Sequence, residues 1–575
     1  MIPAILHHHH YHHPLFLLLI LLFLRFSHAC RTAPATECQK PPFVPGHNLV
    51  GEGFDIVKLK TTGAFVVDVK PYLVGGEDGN CTLCQNTLLG QEQKLPAIVR
   101  DWRVRVRCRR GLSARIYETA SSVLEEDNKS FSAGAKVGLG LAGKGAVYLG
   151  GTHSRASEFA ISHSTRDRYS FTSHQVSCRY YTFRLQSKPP MTHEFKSSLI
   201  ALPYAYSKLT APDFRHFLAT YGTHYLRSVD LGGRVKSTTA VRTCEATMNS
   251  LSVHDVSNCL SVEAAAKKND ASANAQLQFC QAKSKKLNHG RSFSSTFSDR
   301  VTDVLGGSGE SGDILFAPDK KGGYDTWFKS LKTLPGVVSF QLTPLHMLVN
   351  SEVDPQRHVN LRNAIRDYIM QSAVSKACGG KCGAGRRDRS CSCKCSSNKR
   401  LDSNCCPSKP GLASLSVVVE RATGLWGDYF SKTDGYVKVS YSGQGSSTPV
   451  IWNNNFPAWN FKIPFGTVDL LSRDSIKFEV WDRDNRWDDD LLGKVTLRPS
   501  QGVNVRRSFK LKHGTLYVSY STVCAPSLAG PFCGSYSPSP GADAPLAPLT
   551  QDWHYPHHPS LMQRSDGGSR NNTFL

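Results

Sequence analysis

The chain has 575 residues, 40% of them apolar, and a formal net charge of +23. That length is too great for one core, so three or four domains are expected, and the apolar fraction is ample for globular folding. The charge invites a nucleic-acid reading, but eighteen cysteines, an even number, point to a secreted, disulfide-bonded protein.

Residues 1–29 read as a secretory signal peptide: a His-rich start (His7 to His13), an apolar run from Leu15 to Phe26, and Ser27-His28-Ala29 with small residues at the cleavage positions. The mature chain would begin at Cys30. The run is too short to span a bilayer, which takes roughly 18 residues or more, and no later stretch reaches that length. Sequons at Asn80, Asn128 and Asn571 fit the same compartment.

A first large domain is expected over residues 30–375. Strand-like runs occur at Ala64 to Lys70, Ile98 to Arg107, Arg179 to Leu185, Tyr225 to Ala240 and Val337 to Leu342, with helical periodicity at Ala211 to Thr220 and Pro355 to Lys376. This is an α+β mixture with few, long strands. Arg103, Arg105, Arg107 and Arg109 form the strongest basic patch, yet they alternate with Trp102, Val104, Val106 and Cys108. One strand with an apolar inner face and a basic outer face is the simpler reading, so neither nucleic acid nor nucleotide is expected as a partner. Attraction to anionic lipid or to an acidic neighbouring subunit accounts for the charge equally well. From Ser130 to Val176 the chain is rich in Gly and Ala. Ala133, Ala135, Val137, Leu139, Leu141, Val147 and Leu149 alternate there with period two. Gly138 to Gly143 matches a dinucleotide fingerprint by letter only, lacking a βαβ context, and Gly145 stands where a phosphate loop needs Ser or Thr.

Tyr221-Gly222-Thr223-His224-Tyr225, with Gly232-Gly233 after a six-residue gap, reads as a helix end turning into a strand, with glycines where φ is positive or backbones approach closely. His224 has no Ser or Cys nucleophile motif to serve and is expected to be structural. Further on, Leu260, Val262, Ala264 and Ala266 alternate with polar residues. After the turn Lys267-Lys268-Asn269-Asp270 the pattern resumes with Ala271, Ala273, Ala275, Leu277 and Phe279 against Ser272, Asn274, Gln276 and Gln278. Each run approaches the ~9–11 residues of a transmembrane strand. The same Ala, Lys, Gln and Glu residues also favour helix.

Residues 376–410 hold Cys378, Cys382, Cys391, Cys393, Cys395, Cys405 and Cys406. In a secreted chain this crowding suggests an epidermal-growth-factor-like module rather than zinc. Residues 411–525 carry period-two runs of an antiparallel sandwich. Its loops hold Asp428 and Asp434, then Asp482, Asp484, Asp488, Asp489 and Asp490. Carboxylates this crowded repel unless a hard cation such as Ca²⁺ sits among them. Trp426, Tyr429 and Trp487 lie in the same loops, where large aromatics suit the headgroup level of a bilayer. Past Cys524 and Cys533 the chain turns Pro-, Ser- and Gly-rich, and residues 526–575 are expected to be a disordered tail.

Tyr221 to Tyr225 with Gly232-Gly233 resembles the signature of the membrane attack complex/perforin (MACPF) family. Asp482 to Asp490, followed by Leu491-Leu492-Gly493, resembles the calcium loop of a C2 domain, as does Gly427-Asp428 with Asp434. The module order covers the mature chain except its tail. Complement components share the first domain but, as a family, lack a C-terminal C2 domain. The resemblance implies a MACPF domain with a bent antiparallel sheet and two helical clusters that refold into membrane-spanning hairpins, a small EGF-like module and a C2 β-sandwich. It implies the disulfides Cys30–Cys84, Cys38–Cys81, Cys108–Cys178, Cys244–Cys406, Cys378–Cys391, Cys382–Cys393 and Cys395–Cys405. Cys259 and Cys280, which flank the alternating stretch, are expected to join each other, as are Cys524 and Cys533. Asp428, Asp434, Asp482, Asp484 and Asp490 would be the principal Ca²⁺ ligands, with Gly427, Asp488 and Asp489 beside them.

The expected function is that of a secreted pore-forming cytolysin, stored in acidic granules. It would dock on phospholipid through calcium, form a homo-oligomeric ring or arc, and insert two hairpins per subunit as a β-barrel in the target cell membrane. No G-x-S-x-G or H-E-x-x-H is present, so an enzyme is not expected. The alternative is a calcium-dependent lipid-binding protein that docks without perforating.

Overall fold

The computed structural model describes residues 30–129, 136, 139, 147–266, 274–288, 292–308, 313–316, 323–376, 378, 382, 385–396, 401–484, 488–539 and 546–548. The signal segment, most of the Gly-rich stretch 130–146, the turn 267–273, Trp487 and Asn571 lie outside the described residues.

The first domain is built on a seven-stranded antiparallel sheet whose long members are Val99–Tyr117, Tyr169–Leu185 and His224–Arg242. Tyr169–Leu185 lies between the other two, and His224–Arg242 also pairs with Arg300–Leu305 along one half and Gly336–Pro344 along the other. Alternate residues Tyr181, Phe183, Leu231 and Val235 turn into one core together with helix Ala211–Tyr221, while Phe171 packs in a separate cluster with Tyr117, Val123 and Ala160. That helix buries Phe214, Phe217, Leu218 and Tyr221, the i, i+3, i+4, i+7 stripe of an amphipathic helix.

Pairing along the sheet carries polar residues into the ladder, so the runs at 225–240 and 337–342 lengthen at both ends, those at 98–107 and 179–185 lengthen at one end, and the strand expected at 64–70 lies earlier, at Lys60–Phe65. Val106 departs from the expected inward face: the register shifts between Val104 and Arg107, and Val106 is 52% exposed. The extra residue of a bulge is left out of the ladder, so Val106 escapes the inward face while Cys108 beyond it still packs against the core. Of the residues expected to alternate with period two, most lie outside the described residues and Val147–Tyr148 is a strand, while helix Arg155–Ser164 follows in the same Gly- and Ala-rich stretch. The helix expected to reach Lys376 stops at Gln371, and Val374–Lys376 is a strand.

The Tyr221–Gly233 signature is a backbone junction. Helix Ala211–Tyr221 ends at Gly222, whose φ of +76° is in the left-handed region and whose missing side chain would stand 2.6 Å from the backbone of Phe54. Thr223 then donates its N–H to the Phe54 carbonyl (2.9 Å), and its hydroxyl accepts from Ile56 N (3.1 Å). Gly232 packs against the Cys178 carbonyl and Gly233 against Leu331 and Trp327, so both are glycine for close approach. His224 is fully buried beside the Thr223 hydroxyl (2.8 Å), and burial holds its imidazole down at about 3. A neutral, inaccessible imidazole is a packing group.

Two helical groups stand at one end of the sheet. The first contains Ala120–Asn128 and Arg155–Ser164, tied together by Asp127, which accepts from Ser154 Oγ (2.5 Å) and Ser157 Oγ (3.1 Å). The second contains Val253–Ala266 and Asn274–Asn288, joined by Cys259–Cys280 and by Lys283–Asp255 (2.9 Å). Disulfides also join Cys30–Cys84, Cys38–Cys81, Cys108–Cys178, Cys244–Cys406, Cys378–Cys391, Cys382–Cys393, Cys395–Cys405 and Cys524–Cys533.

The segment after residue 525, expected to be disordered, carries the short strands Leu528–Ala529, Ser535–Tyr536 and Leu546–Pro548. Leu546–Pro548 pairs with Val374–Lys376, which in turn pairs with Val147–Tyr148. The Tyr536 hydroxyl and the Ser539 N–H both donate to the buried Asp167 carboxylate. Composition alone missed this because the partners are remote main-chain groups and one aspartate.

Candidate functional site

The second large domain, from Leu412 to Cys524, is a sandwich of two four-stranded antiparallel sheets. Strand Ile476–Asp482 shows how its site arises. Ile476, Phe478 and Val480 point into the core, and the same alternation turns the Asp482 side chain inward at the strand end, leaving it 2% exposed. One carboxylate oxygen, Oδ1, accepts the Asp434 N–H (2.6 Å), while Oδ2 is buried with no hydrogen-bond donor among the described residues. Gly427 passes directly over Oδ2, at a distance where any side chain would collide with it.

Asp428, Asp484 and Asp490 converge above, each offering a carboxylate oxygen within 4.8 Å of the others. Burial, and then the Asp428, Asp484 and Asp434 charges, push the Asp482 carboxyl up to about 6. Burial and the surrounding aspartates raise Asp484 in the same direction. Crowded anions with an orphaned buried oxygen form a donor set for a hard, oxygen-loving cation. Asp434 Oδ1 accepts the Asn453 N–H (2.6 Å), which fixes its carboxylate beside the cluster.

Asp489 turns away: its Oδ2 accepts from the Tyr436 hydroxyl (2.6 Å) and its Oδ1 from Asp484 N (3.2 Å), and the Tyr436 bond holds its carboxyl below the usual range. Asp488 lines a cleft beside Tyr436, Trp481 and Arg483 rather than joining the converging trio. Asp488 and Asp489 are therefore placed differently from Asp428, Asp484 and Asp490.

Trp426 packs edge-on against Tyr429 (5.1 Å between ring centres), and Tyr429 is 84% exposed. Three exposed aromatics were not singled out from the sequence: Phe430, fully exposed among the described residues, and Trp452 and Phe456 in the adjoining loop. Two large aromatics flanking Asn453-Asn454-Asn455 in a turn-forming segment were the available signal.

Of the expected glycan sites, Asn80 is exposed at a strand start, whereas Asn128 Oδ1 accepts from Leu149 N and Gly150 N (both 3.1 Å).

Comparison with known proteins places this geometry. Residues 42–377 match the family model of the MAC/Perforin domain, and residues 413–513 match the C2 domain. The chain is similar to Perforin-1 of Rattus norvegicus, 38% identical over 88% of this chain and 93% of the relative. Perforin-1 of Homo sapiens is 37% identical over the same shares. The complement component C8 alpha chain of Oryctolagus cuniculus is 24% identical over 64% of this chain and 67% of the relative. The family model spans more than half of the molecule and full-length relatives align beyond it, so the chain belongs to the MAC/Perforin family, whose members form pores and are not enzymes.

Proposed function

We propose that the protein is a secreted cytolysin that docks on phospholipid through calcium bound by its C2 loops, assembles side by side, and inserts two β-hairpins per subunit into a barrel. One observation carries the pore reading. Each helical group interrupts a pair of antiparallel neighbours in the same sheet: Tyr117 pairs with Phe171 across the first, and Thr239 with Arg300 across the second. If a helical group unfolds, its two arms can continue an existing ladder in register, with no strand crossing another. In the bilayer only a closed barrel satisfies the backbone, which couples insertion to assembly.

The second group has the sequence for this change. As a helix, Val253–Ala266 buries Leu260, Val262 and Ala264 against the sheet; as a strand the same three would share one lipid-facing side. Glu263 would face the lumen, and here its carboxylate accepts from Phe293 N (2.7 Å) and Ser294 N (2.8 Å).

For docking, Asp428, Asp434, Asp482, Asp484 and Asp490 would hold Ca²⁺, which neutralises the cluster and presents the aromatic loops to lipid. Release of a trapped dye from liposomes tests the whole reading. Calcium-dependent release supports it. Calcium-dependent pelleting without release would leave a lipid-binding protein that does not perforate.

A further inference from the structure

We infer that the 449–457 loop is a second membrane-inserting prong, with Trp452 and Phe456 entering the bilayer beside the Trp426–Phe430 loop. This rests on the docking reading above and extends it to residues outside the two acidic loops. Trp452 is 62% exposed and Phe456 65% exposed. A pair of large aromatics held in water marks an interaction surface.

The loop presents them rigidly. Asn453 takes a left-handed conformation with φ of +53°, which asparagine tolerates. Asn454 Oδ1 accepts the Phe456 N–H (2.8 Å), and Asn455 Oδ1 accepts the Thr433 N–H (3.0 Å). The main chain adds Asn454 N to Thr433 O (2.8 Å) and Leu425 N to Asn455 O (3.0 Å). The first of these bonds stiffens the loop, and the other three tie it to the segment that carries Trp426, Asp428 and Asp434, so the two aromatic sets lie at the same end of the sandwich. A rigid prong loses little freedom on burial, which favours insertion over an adaptable protein contact.

The occupant fits a lipid surface. Both rings adjoin an acidic cluster that would repel anionic headgroups when empty and attract them once cations fill it, and the chain as a whole carries +23. Asn453 N also donates to Asp434 Oδ1 (2.6 Å), so the residue next to Trp452 is bonded to a proposed calcium ligand. Ion binding at Asp434 is thereby coupled to the position of the prong.

The test uses the full chain with single cysteines, Trp452→Cys and Phe430→Cys, each labelled with an environment-sensitive dye and mixed with phosphatidylcholine/phosphatidylserine vesicles and calcium. Blue-shifted emission at both positions supports the inference. A shift at 430 with none at 452 overturns it while docking stands. No shift at either position overturns both. The Trp452→Ala/Phe456→Ala double variant should bind vesicles about tenfold more weakly or worse, since it removes two interfacial aromatics. The calcium-induced rise in its melting temperature serves as the folding check. Wild-type affinity in that variant, or vesicle-free self-association abolished by it in sedimentation, would assign the loop to something other than lipid.

Discussion

Replacing Asp482 with asparagine should stabilise the calcium-free protein and destabilise the calcium-loaded one. The carboxyl is raised from 3.8 to about 6 by burial and then by its aspartate neighbours, against the pull of the Asp434 N–H. A carboxylate whose folded value is raised burdens the fold above that value and ceases to do so once pH falls below its unfolded value. The shift corresponds to at most about 3 kcal/mol at neutral pH. Asparagine keeps an acceptor for the Asp434 N–H and removes the charge, so in chelator the C2 transition should rise, by up to about 10 °C at the full value. With calcium at a thousandfold excess over its Kd, wild type gains about 4.1 kcal/mol from binding that the variant loses, which exceeds the strain removed, and the order reverses. Thermal unfolding followed by intrinsic fluorescence, with and without calcium at pH 7 and pH 5, reads both effects. The chelator difference should shrink at pH 5, where the wild-type group is largely protonated. If the variant is no more stable than wild type in chelator, the carboxylate is not strained; if calcium stabilises both equally, Asp482 does not hold the ion.

Ala275→Arg should leave calcium-dependent pelleting intact while abolishing dye release, because a charge facing mid-bilayer lipid costs about 2–4 kcal/mol; equal release would reject the lipid-facing assignment. His174 is buried against Ser257 O (3.0 Å), and burial lowers its imidazole to about 4. Its contribution is therefore complete above 6.5 and lost as pH falls toward 4, by up to about 3 kcal/mol, so His174→Phe should flatten the acid side of the melting-temperature profile. Gly222→Ala should cost more than about 2 kcal/mol, since a side chain would meet the Phe54 backbone at a positive φ; a melting temperature within a degree of wild type would contradict that packing.

The residues that were legible in the sequence are those whose role follows from local pattern. The parity of Ile476, Phe478 and Val480 delivers Asp482 to the buried end of its strand, and Gly222 is glycine because its φ demands it. What local pattern could not show depends on distant partners. Val106 is exposed because of a bulge against Arg179, which no spacing within its own strand reveals. The tail is placed because Val374–Lys376 offers an open edge and Asp167 a carboxylate. Disulfide connectivity is likewise unreadable from spacing. In the acidic loops, seven aspartates looked alike as letters. The resemblance to a C2 calcium loop ranks Asp482 above Asp489, and the geometry supplies the physical reason: Asp489 is satisfied by Tyr436, whereas Asp482 is left with an unsatisfied oxygen.

The two helical groups are held differently, and the difference bears on how they would open. The first is tied to remote parts of the chain. Thr119 and Ser121 donate to Ser390 O in the cysteine-rich module, and Val147–Tyr148 shares a small sheet with Val374–Lys376 and the tail. Its release would therefore require these contacts with the cysteine-rich module and the tail to part. The second is held within itself, by Cys259–Cys280 and by packing on the sheet. That disulfide need not break. Counting along alternating strands, Cys259 falls on the side of Ser261 and Glu263, and Cys280 on the side of Gln276 and Gln278, so both sulfurs would face the lumen of the same hairpin. The bond thus permits either packing of the segment. In the proposed hairpin it would keep the two arms paired and lower the entropic cost of closing the loop.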